Sequence, residues 1–208
     1  NLSTLCITNN EESTIWNLCD YKAACYAGTE QGIAATKSFT SQMLCLILIS
    51  LKLVEKIHGD NATIGYKKSL FSLPAVVDKA LAKREDIKKL AAILAKENTI
   101  VITADGISYS LAKEAALKIK ETSYKNISAA ILGEFMHGHV AVLNNPSMLI
   151  YIAVDEISKR SVSNLNKIKE DYKPKLVIIG PAGEEVKPDC NINIVSENET
   201  VSYTHLRA

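Results

Sequence analysis

The chain has 208 residues, of which 47% are hydrophobic and 23% are charged, so it is long and apolar enough to bury a core. Its 24 basic residues nearly balance its 23 acidic residues, which argues against a general attraction to nucleic acid or to an anionic membrane. A local site for a small anionic metabolite is compatible with this balance.

The longest apolar run, MLCLILISLKLV at residues 43–54, is shorter than the ~20 residues that cross a bilayer. The N-terminus lacks the pattern of a signal peptide. None of the cysteines forms a CxxC pair, which favours small buried hydrophobic residues in a reducing compartment; they are Cys6, Cys19, Cys25, Cys45 and Cys190. We therefore expect a cytoplasmic protein with no metal, cofactor, nucleic-acid partner or membrane partner.

Residues 1–58 predict the C-terminal part of a first α/β unit. LSTLCIT at 2–8 predicts a short buried strand, and a weaker strand pattern lies around 23–26. TKSFTSQMLCLILISLKLVEKI at 36–57 has apolar residues at three- and four-residue spacing and predicts a long helix, with Thr36 as its N-cap.

Residues 59–97 predict a helical connector. Two helical patterns lie within 66–96, and Pro74 marks a kink or a new first turn in the first of them. This stretch shows no strand pattern, so we expect it to join two α/β units.

Residues 98–196 predict a nearly complete second unit. Strand patterns occupy 98–106, 147–155, 175–181 and 191–195, and helical patterns occupy 109–124 and 158–170. This alternation predicts an α/β fold with a parallel sheet covered by helices on both faces, a three-layer arrangement. Ligands bind such sheets beyond the carboxyl ends of the strands, here at 104–109, 155–159 and 180–183.

The 109–124 helix carries a charged group with two interpretations. Leu111, Ala115 and Ile119 share one face, while Lys118 lies four residues after Glu114 and three before Glu121. Such spacing favours a solvated, salt-bridged face. The alternative is a carboxylate base held by a lysine near a sheet crevice, able to take a proton from a carbon beside a carbonyl.

GEFMHGH at 133–139 contains two histidines near glycines. His137 is either a loop residue capping a carbonyl or a group that titrates near neutral pH in a site. His139 and Glu134 are the other donors nearby, and they are too few to indicate a metal site.

AGTEQGIAATKSFTSQ at 27–42 is a glycine-containing loop that opens a helix. It is either simple loop-to-helix punctuation or a place where the free N–H groups of a helix N-terminus meet an anion or sugar oxygens. Its spacing matches neither a Walker loop nor a dinucleotide fingerprint.

Three stretches together resemble one family. AGTEQGIAATKSFTSQ, YSLAKEAALKIKETSY and GEFMHGHVAVL resemble the SIS (sugar isomerase) family, in the form found in the isomerase half of glucosamine–fructose-6-phosphate aminotransferases. Their order and separations are similar to those of the family, over roughly residues 1–195. The resemblance implies two repeated α/β units, each with a five-stranded parallel sheet, one of them partial here. It also implies binding of a phosphorylated hexose or amino sugar and ketose–aldose isomerisation.

The resemblance also implies roles for individual residues. Glu121 matches the base that moves a proton between C1 and C2, and Lys118 matches a lysine of the same site. His137 matches a histidine that assists ring opening and reaches in from the neighbouring subunit, which implies a homodimer. Ile33 and Ala35 match positions whose backbone groups bind the sugar.

The chain also departs from the family pattern. The family's phosphate-binding loop would precede residue 1, so we expect a piece of a longer protein, poorly active alone. The turn ADG at 104–106 stands where related synthases often have Gly-Arg-Gly, Ala35 where they usually have serine, and His139 where proline is common. The tail 197–208 does not resemble the family, and we expect either foreign sequence or a frame error there.

The leading interpretation is the isomerase part of an enzyme of amino sugar metabolism that makes glucosamine 6-phosphate. The alternatives are a stand-alone SIS deaminase or isomerase, and a non-catalytic sugar-phosphate sensor. The joint presence of Glu121, Lys118 and His137 favours an enzyme, because binding alone does not need an acid and a base for carbon chemistry. A purely structural protein would require all three motif matches to arise by chance.

Overall fold

The structure is a computed structural model that describes residues 2–143 and 146–193. It divides into two compact units, Asn1–Lys68 and Ser69–Ala208. The boundary falls inside a helix, within the range predicted as a connector. The predicted limits of the domains stay a prediction, and the tail 197–208 lies outside the described residues.

The first unit contains two parallel strands followed by a long helix. Strand β1 (Leu5–Thr8) pairs with β2 (Tyr21–Ala24), and the short helix α1 (Thr14–Leu18) connects them. Helix α2 (Lys37–His58) packs on β1 and is followed by a 3₁₀ turn at Asp60–Thr63. The predicted strand and long helix are confirmed. The α1 helix was not predicted, although Ser13 caps it by accepting a hydrogen bond from the backbone N–H of Trp16.

Helix α2 has 22 residues and is longer than the apolar run 43–54, which was judged too short to cross a bilayer. Among the described residues, it is the one helix long and apolar enough to cross a membrane when only length and composition are considered. The core helix of a protein that never meets a membrane can pass the same test. The expected absence of a membrane partner therefore stays a prediction.

Two helices follow α2. Helix α3 (Ile64–Ala82) holds Pro74 within it, so Pro74 does not start a new helix. Helix α4 (Arg84–Leu94) begins directly afterwards and buries Leu90. Residues 59–97 are therefore mostly helical and contain no strand, and the 3₁₀ turn at Asp60–Thr63 lies near their start.

A five-stranded parallel sheet forms the centre of the second unit, in the order β4-β3-β5-β6-β7. The strands are β3 (Thr99–Ala104), β4 (Ile127–Ile131), β5 (Ser147–Ile152), β6 (Lys175–Ile179) and β7 (Cys190–Ile192). The helices are α5 (Ser108–Ser123), α6 (Leu132–Phe135) and α7 (Lys159–Tyr172). Strand β4 was not predicted from the sequence pattern, and residues 194 and 195 of the last predicted strand lie outside the described residues.

Apolar side chains cover both faces of this sheet. On one face, Val101, Leu149 and Ile178 pack with residues of α6 and α7, including Phe135 and Leu165. On the other face, a second cluster joins the sheet to α4 and α5; it includes Leu90, Ile100, Ile102, Ala112, Ala116, Met148 and Ile150. Strands buried on both faces are typical of parallel sheets. The predicted three-layer α/β fold is confirmed.

Candidate functional site

Helix α5 lies close to the sheet because its contact face is made of alanines. Ala112 is fully buried and Ala116 nearly so, whereas Leu111 is 40% exposed. The contact face is therefore centred on Ala112 and Ala116, one position away from the predicted row of Leu111, Ala115 and Ile119. Small residues allow this approach, and they fix which side of α5 remains accessible.

A lysine lies between two carboxylates on the accessible side of α5. Lys118 Nζ is 3.3 Å from Glu114 Oε1 and 3.2 Å from Glu121 Oε2. The three side chains, Glu114, Lys118 and Glu121, are 26%, 24% and 31% exposed. Desolvation lowers the pKa of Lys118, but hydrogen bonds with Glu121 and Glu114 outweigh it, and the pKa lies above its usual value. The ammonium is therefore kept charged beside two carboxylates.

The end of α5 places Glu121 in the last helical turn. Tyr124 adopts a left-handed conformation with a φ of 57° and donates its backbone N–H to Lys120 O at 2.9 Å. Thr122 and Ser123 donate their hydroxyls to carbonyls of the preceding turn, at Lys118 and Ile119. The negative end of the helix dipole lies here, and Lys118 supplies positive charge next to it.

Two histidines follow on a separate segment. His137 is exposed and donates its backbone N–H to Glu134 O at 3.0 Å, just after α6. His139 lines a cavity of about 440 Å³ beside β4, together with Glu134 and Tyr109. The two histidines therefore have different surroundings. Within the described residues, no group of three metal-ligating side chains occurs.

The loop before α2 is closed by one of its own carboxylates. Glu30 Oε1 accepts hydrogen bonds from the backbone N–H groups of Thr36 and Ser38, at 2.9 and 2.8 Å, and from the Ser38 hydroxyl. The Ser38 N–H is the main reason that the pKa of Glu30 lies below its usual value. Thr36 occupies the N-cap position as predicted, but its side chain makes no capping hydrogen bond. The Glu30 carboxylate therefore binds the free N–H groups at the N-terminus of α2.

The two predicted sugar-binding positions lie in this loop. Ile33 is 84% exposed, and Ala35 is half-buried one residue before Thr36. No capping rule pointed to Glu30 in the sequence, because capping residues are normally Ser, Thr, Asp or Asn at the N-cap itself. Glu30 lies six residues before Thr36, and only the fold of the loop brings it to the helix N-terminus.

The ADG turn after β3 is held by a network of hydroxyls. Asp105 Oδ2 accepts hydrogen bonds from Tyr151 Oη at 3.0 Å and from Ser161 Oγ at 2.7 Å. Ser158, which caps α7, contacts Ser161 Oγ at 2.7 Å. Burial, and then the nearby Asp105, raise the pKa of Tyr151 above its usual value. This network joins the carboxyl ends of β3 and β5 to the start of α7.

Comparison with known families identifies the second half of the chain. The model of the SIS domain family matches residues 93–206, just over half of the chain. The chain belongs to the SIS domain family. The match contains α5 with its Glu114–Lys118–Glu121 cluster, as well as His137.

Two related sequences carry the same enzyme name. The chain is 32% identical over 170 residues to the glutamine–fructose-6-phosphate aminotransferase (isomerizing) of Buchnera aphidicola subsp. Baizongia pistaciae, covering 81% of this chain and 28% of that protein. It is 30% identical over 210 residues to one from Bradyrhizobium diazoefficiens, covering 99% of this chain and 34% of that protein. The chain therefore spans only about a third of the length of the curated relatives that it matches.

Solved structures show the same fold. The C-terminal domain of glucosamine-fructose-6-phosphate aminotransferase from Francisella tularensis superposes with a TM-score of 0.84 at 27% identity, over 92% of this chain and 55% of that chain. Tagatose-6-phosphate ketose/aldose isomerase from Escherichia coli superposes with a TM-score of 0.67 at 18% identity, over 92% of this chain and 52% of that chain. The second likeness concerns the fold alone.

Proposed function

We propose that this SIS chain binds a phosphorylated hexose or amino sugar and interconverts its ketose and aldose forms, as the isomerase part of a glucosamine 6-phosphate synthase. The observation that carries the proposal is the cluster in which Lys118 lies 3.2–3.3 Å from both Glu121 and Glu114. The names of the sequence relatives, which include the word isomerizing, support it. The ammonia for such a synthase would come from a glutaminase domain outside this chain.

Glu121 is the proposed base. Isomerisation removes a proton from C2 or C1 and returns it to the other carbon, through an enolate that carries negative charge. A carboxylate can move this proton without a metal. Glu121 is suited to the task because its side chain is partly exposed at the end of a helix held firmly against the sheet.

Lys118 is the proposed electrostatic partner, and Glu114 positions it. A charged ammonium next to the reacting carbons stabilises the developing enolate. Glu114 lies one helical turn before Lys118, whereas Glu121 lies one turn after it, and the Glu114 carboxylate contacts Lys118 Nζ. The i,i+4 spacing of Glu114 was visible in the sequence, but the two simultaneous contacts of Lys118 required the structure.

His137 is the proposed acid for opening the sugar ring, and it serves the site of the neighbouring subunit of a homodimer. Its exposure on the segment after α6 is compatible with reaching another chain. Ile33 and Ala35 are proposed to offer backbone groups to the sugar. Location in the cytoplasm is part of the same proposal, because phosphorylated sugars are charged metabolites that do not cross membranes unaided.

The test is proton exchange catalysed by the Glu121→Gln variant. Fructose 6-phosphate is incubated with the protein in D₂O, and deuterium entry at C1 of the ketose and at C2 of the aldose product is followed by NMR. We expect the exchange rate to fall about 10²- to 10⁴-fold, because an amide cannot accept the proton. Fructose 6-phosphate binding, measured by calorimetry, should be nearly unchanged.

Glu85→Gln is the matched control. Glu85 also pairs with a lysine three residues away, Lys88 at 2.7 Å, but on the exposed surface of α4. This variant should exchange deuterium at the wild-type rate. Wild-type protein that binds the sugar phosphate without any exchange would instead identify a sensor. Exchange that survives in Glu121→Gln would assign the base to another residue.

A further inference from the structure

The segment that carries Ile33 and Ala35 has little support of its own. We call residues 31–35 the sugar loop, because both proposed sugar-binding positions lie in it. No residue of the sugar loop forms a hydrogen bond with another residue that the structure describes. Ile33 at its centre is 84% exposed. The backbone groups of the loop are therefore available to a ligand, and the conformation of the loop depends on how its two ends are held.

The entry of the sugar loop is held by side chains from two other segments. Asn9, just after β1, uses both atoms of its amide: Nδ2 donates to Gly28 O at 2.6 Å, and Oδ1 accepts from the Ala27 N–H at 2.8 Å. Lys37, at the start of α2, donates from Nζ to Thr29 O at 2.8 Å. The chain is therefore fixed up to the residue before Glu30.

Glu30 joins the entry of the sugar loop to its exit. It directly precedes the loop, and its Oε1 accepts hydrogen bonds from the backbone N–H of Thr36 at 2.9 Å and of Ser38 at 2.8 Å. The Ser38 hydroxyl donates to the same oxygen at 2.9 Å. The side chain of Thr36 makes no capping hydrogen bond of its own. The Glu30 carboxylate therefore closes the loop and caps α2 at the same time.

The carboxylate of Glu30 is charged when it closes the loop. The hydrogen bond from the Ser38 N–H is the largest reason that the pKa of Glu30 lies below its usual value, and the charge of Lys37 acts in the same direction. The positive end of the α2 dipole also favours a negative charge here. Hydrogen bonds to a charged acceptor are stronger than those to a neutral one. An amide at this position would therefore hold the loop less firmly, and a methyl group would not hold it.

We propose that Glu30 is a positioning residue, which holds the sugar loop in the conformation that presents the backbone groups of Ile33 and Ala35 to the sugar. The part of this inference that concerns the sugar rests on the proposed function. Because one oxygen of Glu30 already accepts three hydrogen bonds from the start of α2, the residue acts through the loop. A loop that is ordered before binding loses less conformational entropy when the sugar binds, and this raises affinity.

The closing of the loop is tested without sugar, by amide hydrogen exchange followed by NMR. In Glu30→Ala, the amides of Thr36 and Ser38 should exchange at least about tenfold faster, because their acceptor is gone. In Glu30→Gln the increase should be smaller, because the side-chain carbonyl can still accept. Amides in the middle of α2 should keep their wild-type rates. Unchanged exchange at Thr36 and Ser38 in Glu30→Ala would overturn the role of Glu30 in the loop.

Glu11→Ala is the matched control. Glu11 is an exposed glutamate of the same unit, and its side chain forms no hydrogen bond or ion pair with another described residue. This variant should keep the wild-type amide exchange and the wild-type affinity for fructose 6-phosphate.

The effect on the sugar is tested by calorimetry with fructose 6-phosphate. The dissociation constant should rise at least about tenfold in Glu30→Ala, because binding must then order the loop. In Glu30→Gln it should rise only about two- to threefold. At saturating sugar, the rate of deuterium exchange should stay within about twofold of the wild-type rate in both variants, because Glu121 is intact. A positioning role predicts this separation of affinity from maximal rate.

The remaining outcomes separate this inference from the proposed function. Wild-type affinity in Glu30→Ala, despite faster amide exchange, would overturn the positioning role. Equal losses of affinity and of maximal rate in Glu30→Ala and Glu30→Gln would overturn it too, and would indicate direct contact between the charge and the sugar. A wild-type chain that does not bind fructose 6-phosphate would remove the proposed function and the sugar part of this inference. Faster exchange at Thr36 and Ser38 would then still identify Glu30 as the residue that closes the loop.

Discussion

Gly180 directly follows β6, and only glycine fits there, because the backbone conformation and the close packing both exclude a side chain. Its φ is +119°, and a Cβ atom there would lie 1.9 Å from the carbonyl oxygen of Ala153. The backbone N–H of Gly180 donates to Ile192 O at 2.9 Å, and its carbonyl accepts from Asn191 Nδ2 at 3.0 Å. The residue therefore joins the carboxyl ends of three strands, where ligands of parallel sheets bind.

Gly180→Ala should destabilise the protein by at least about 3 kcal/mol, because the added methyl group must displace backbone atoms. Gly183→Ala is the control: its φ is +69°, but no atom lies within 4 Å of a new Cβ. It should cost only about 1–2 kcal/mol, the strain of a left-handed residue. Urea denaturation of both variants measures the difference. Equal losses of unfolding free energy in the two variants would show that the close approach to Ala153 does not contribute to the destabilisation of Gly180→Ala.

At the scale of elements, the sequence predicted those helices and strands whose formation depends on residues close together in the chain. The apolar spacing of 36–57 predicted α2 to within one residue at each end. Strand β4 was missed because its ISAAI sequence, at the edge of the sheet, has small residues and no continuous apolar run. Its membership of the sheet is decided by pairing with β3.

In the candidate site, too, local features could be predicted from the sequence and long-range contacts could not. The spacing of Glu114, Lys118 and Glu121 was sufficient to place them on one side of a helix. Contacts between distant residues could not be predicted from spacing. The hydrogen bonds from Ser161 and Tyr151 to Asp105 exist only because the fold brings separate segments together.

The end of α2 is joined to the following turn and to α3 through Glu55. Its side chain is 2% exposed and binds Lys52 Nζ at 2.9 Å, as well as Thr63 Oγ1 and Lys67 Nζ. The hydrogen bond from Lys67, followed by those from Thr63 and Lys52, lowers the pKa of Glu55 to about 2. An ionised Glu55 therefore stabilises the folded state.

This cluster predicts a loss of stability in acid. The folded pKa of Glu55, about 2, lies below its ordinary value of 4.5, so its contribution is complete above pH 4.5 and disappears as the pH falls toward 2. Glu55→Gln should be less stable than the wild type above pH 4.5, and the gap should narrow across this window. Urea denaturation at several pH values measures it, with the exposed Glu85→Gln as a control that keeps the wild-type profile. A gap independent of pH would contradict the assigned role of the charge.

At the scale of the whole molecule, the proposed site needs more than one copy of the chain. Glu121 and Lys118 belong to α5, whereas His137 is proposed to act in the neighbouring subunit. A symmetric dimer of this kind contains two identical composite sites. Each site combines Glu121 of one subunit with His137 of the other, and this arrangement can be tested by mixing variants.

Glu121→Gln and His137→Ala should each be nearly inactive alone. When equal amounts are unfolded and refolded together, half of the dimers are mixed, and each mixed dimer contains one site with both residues intact. The mixture should therefore recover about a quarter of the wild-type rate of deuterium exchange into fructose 6-phosphate. Glu121→Gln refolded with Glu121→Gln/His137→Ala is the matched control and should recover nothing, because neither chain supplies Glu121. If His137 instead acts within its own subunit, the mixed dimers would contain no complete site, and the mixture would be as inactive as either variant.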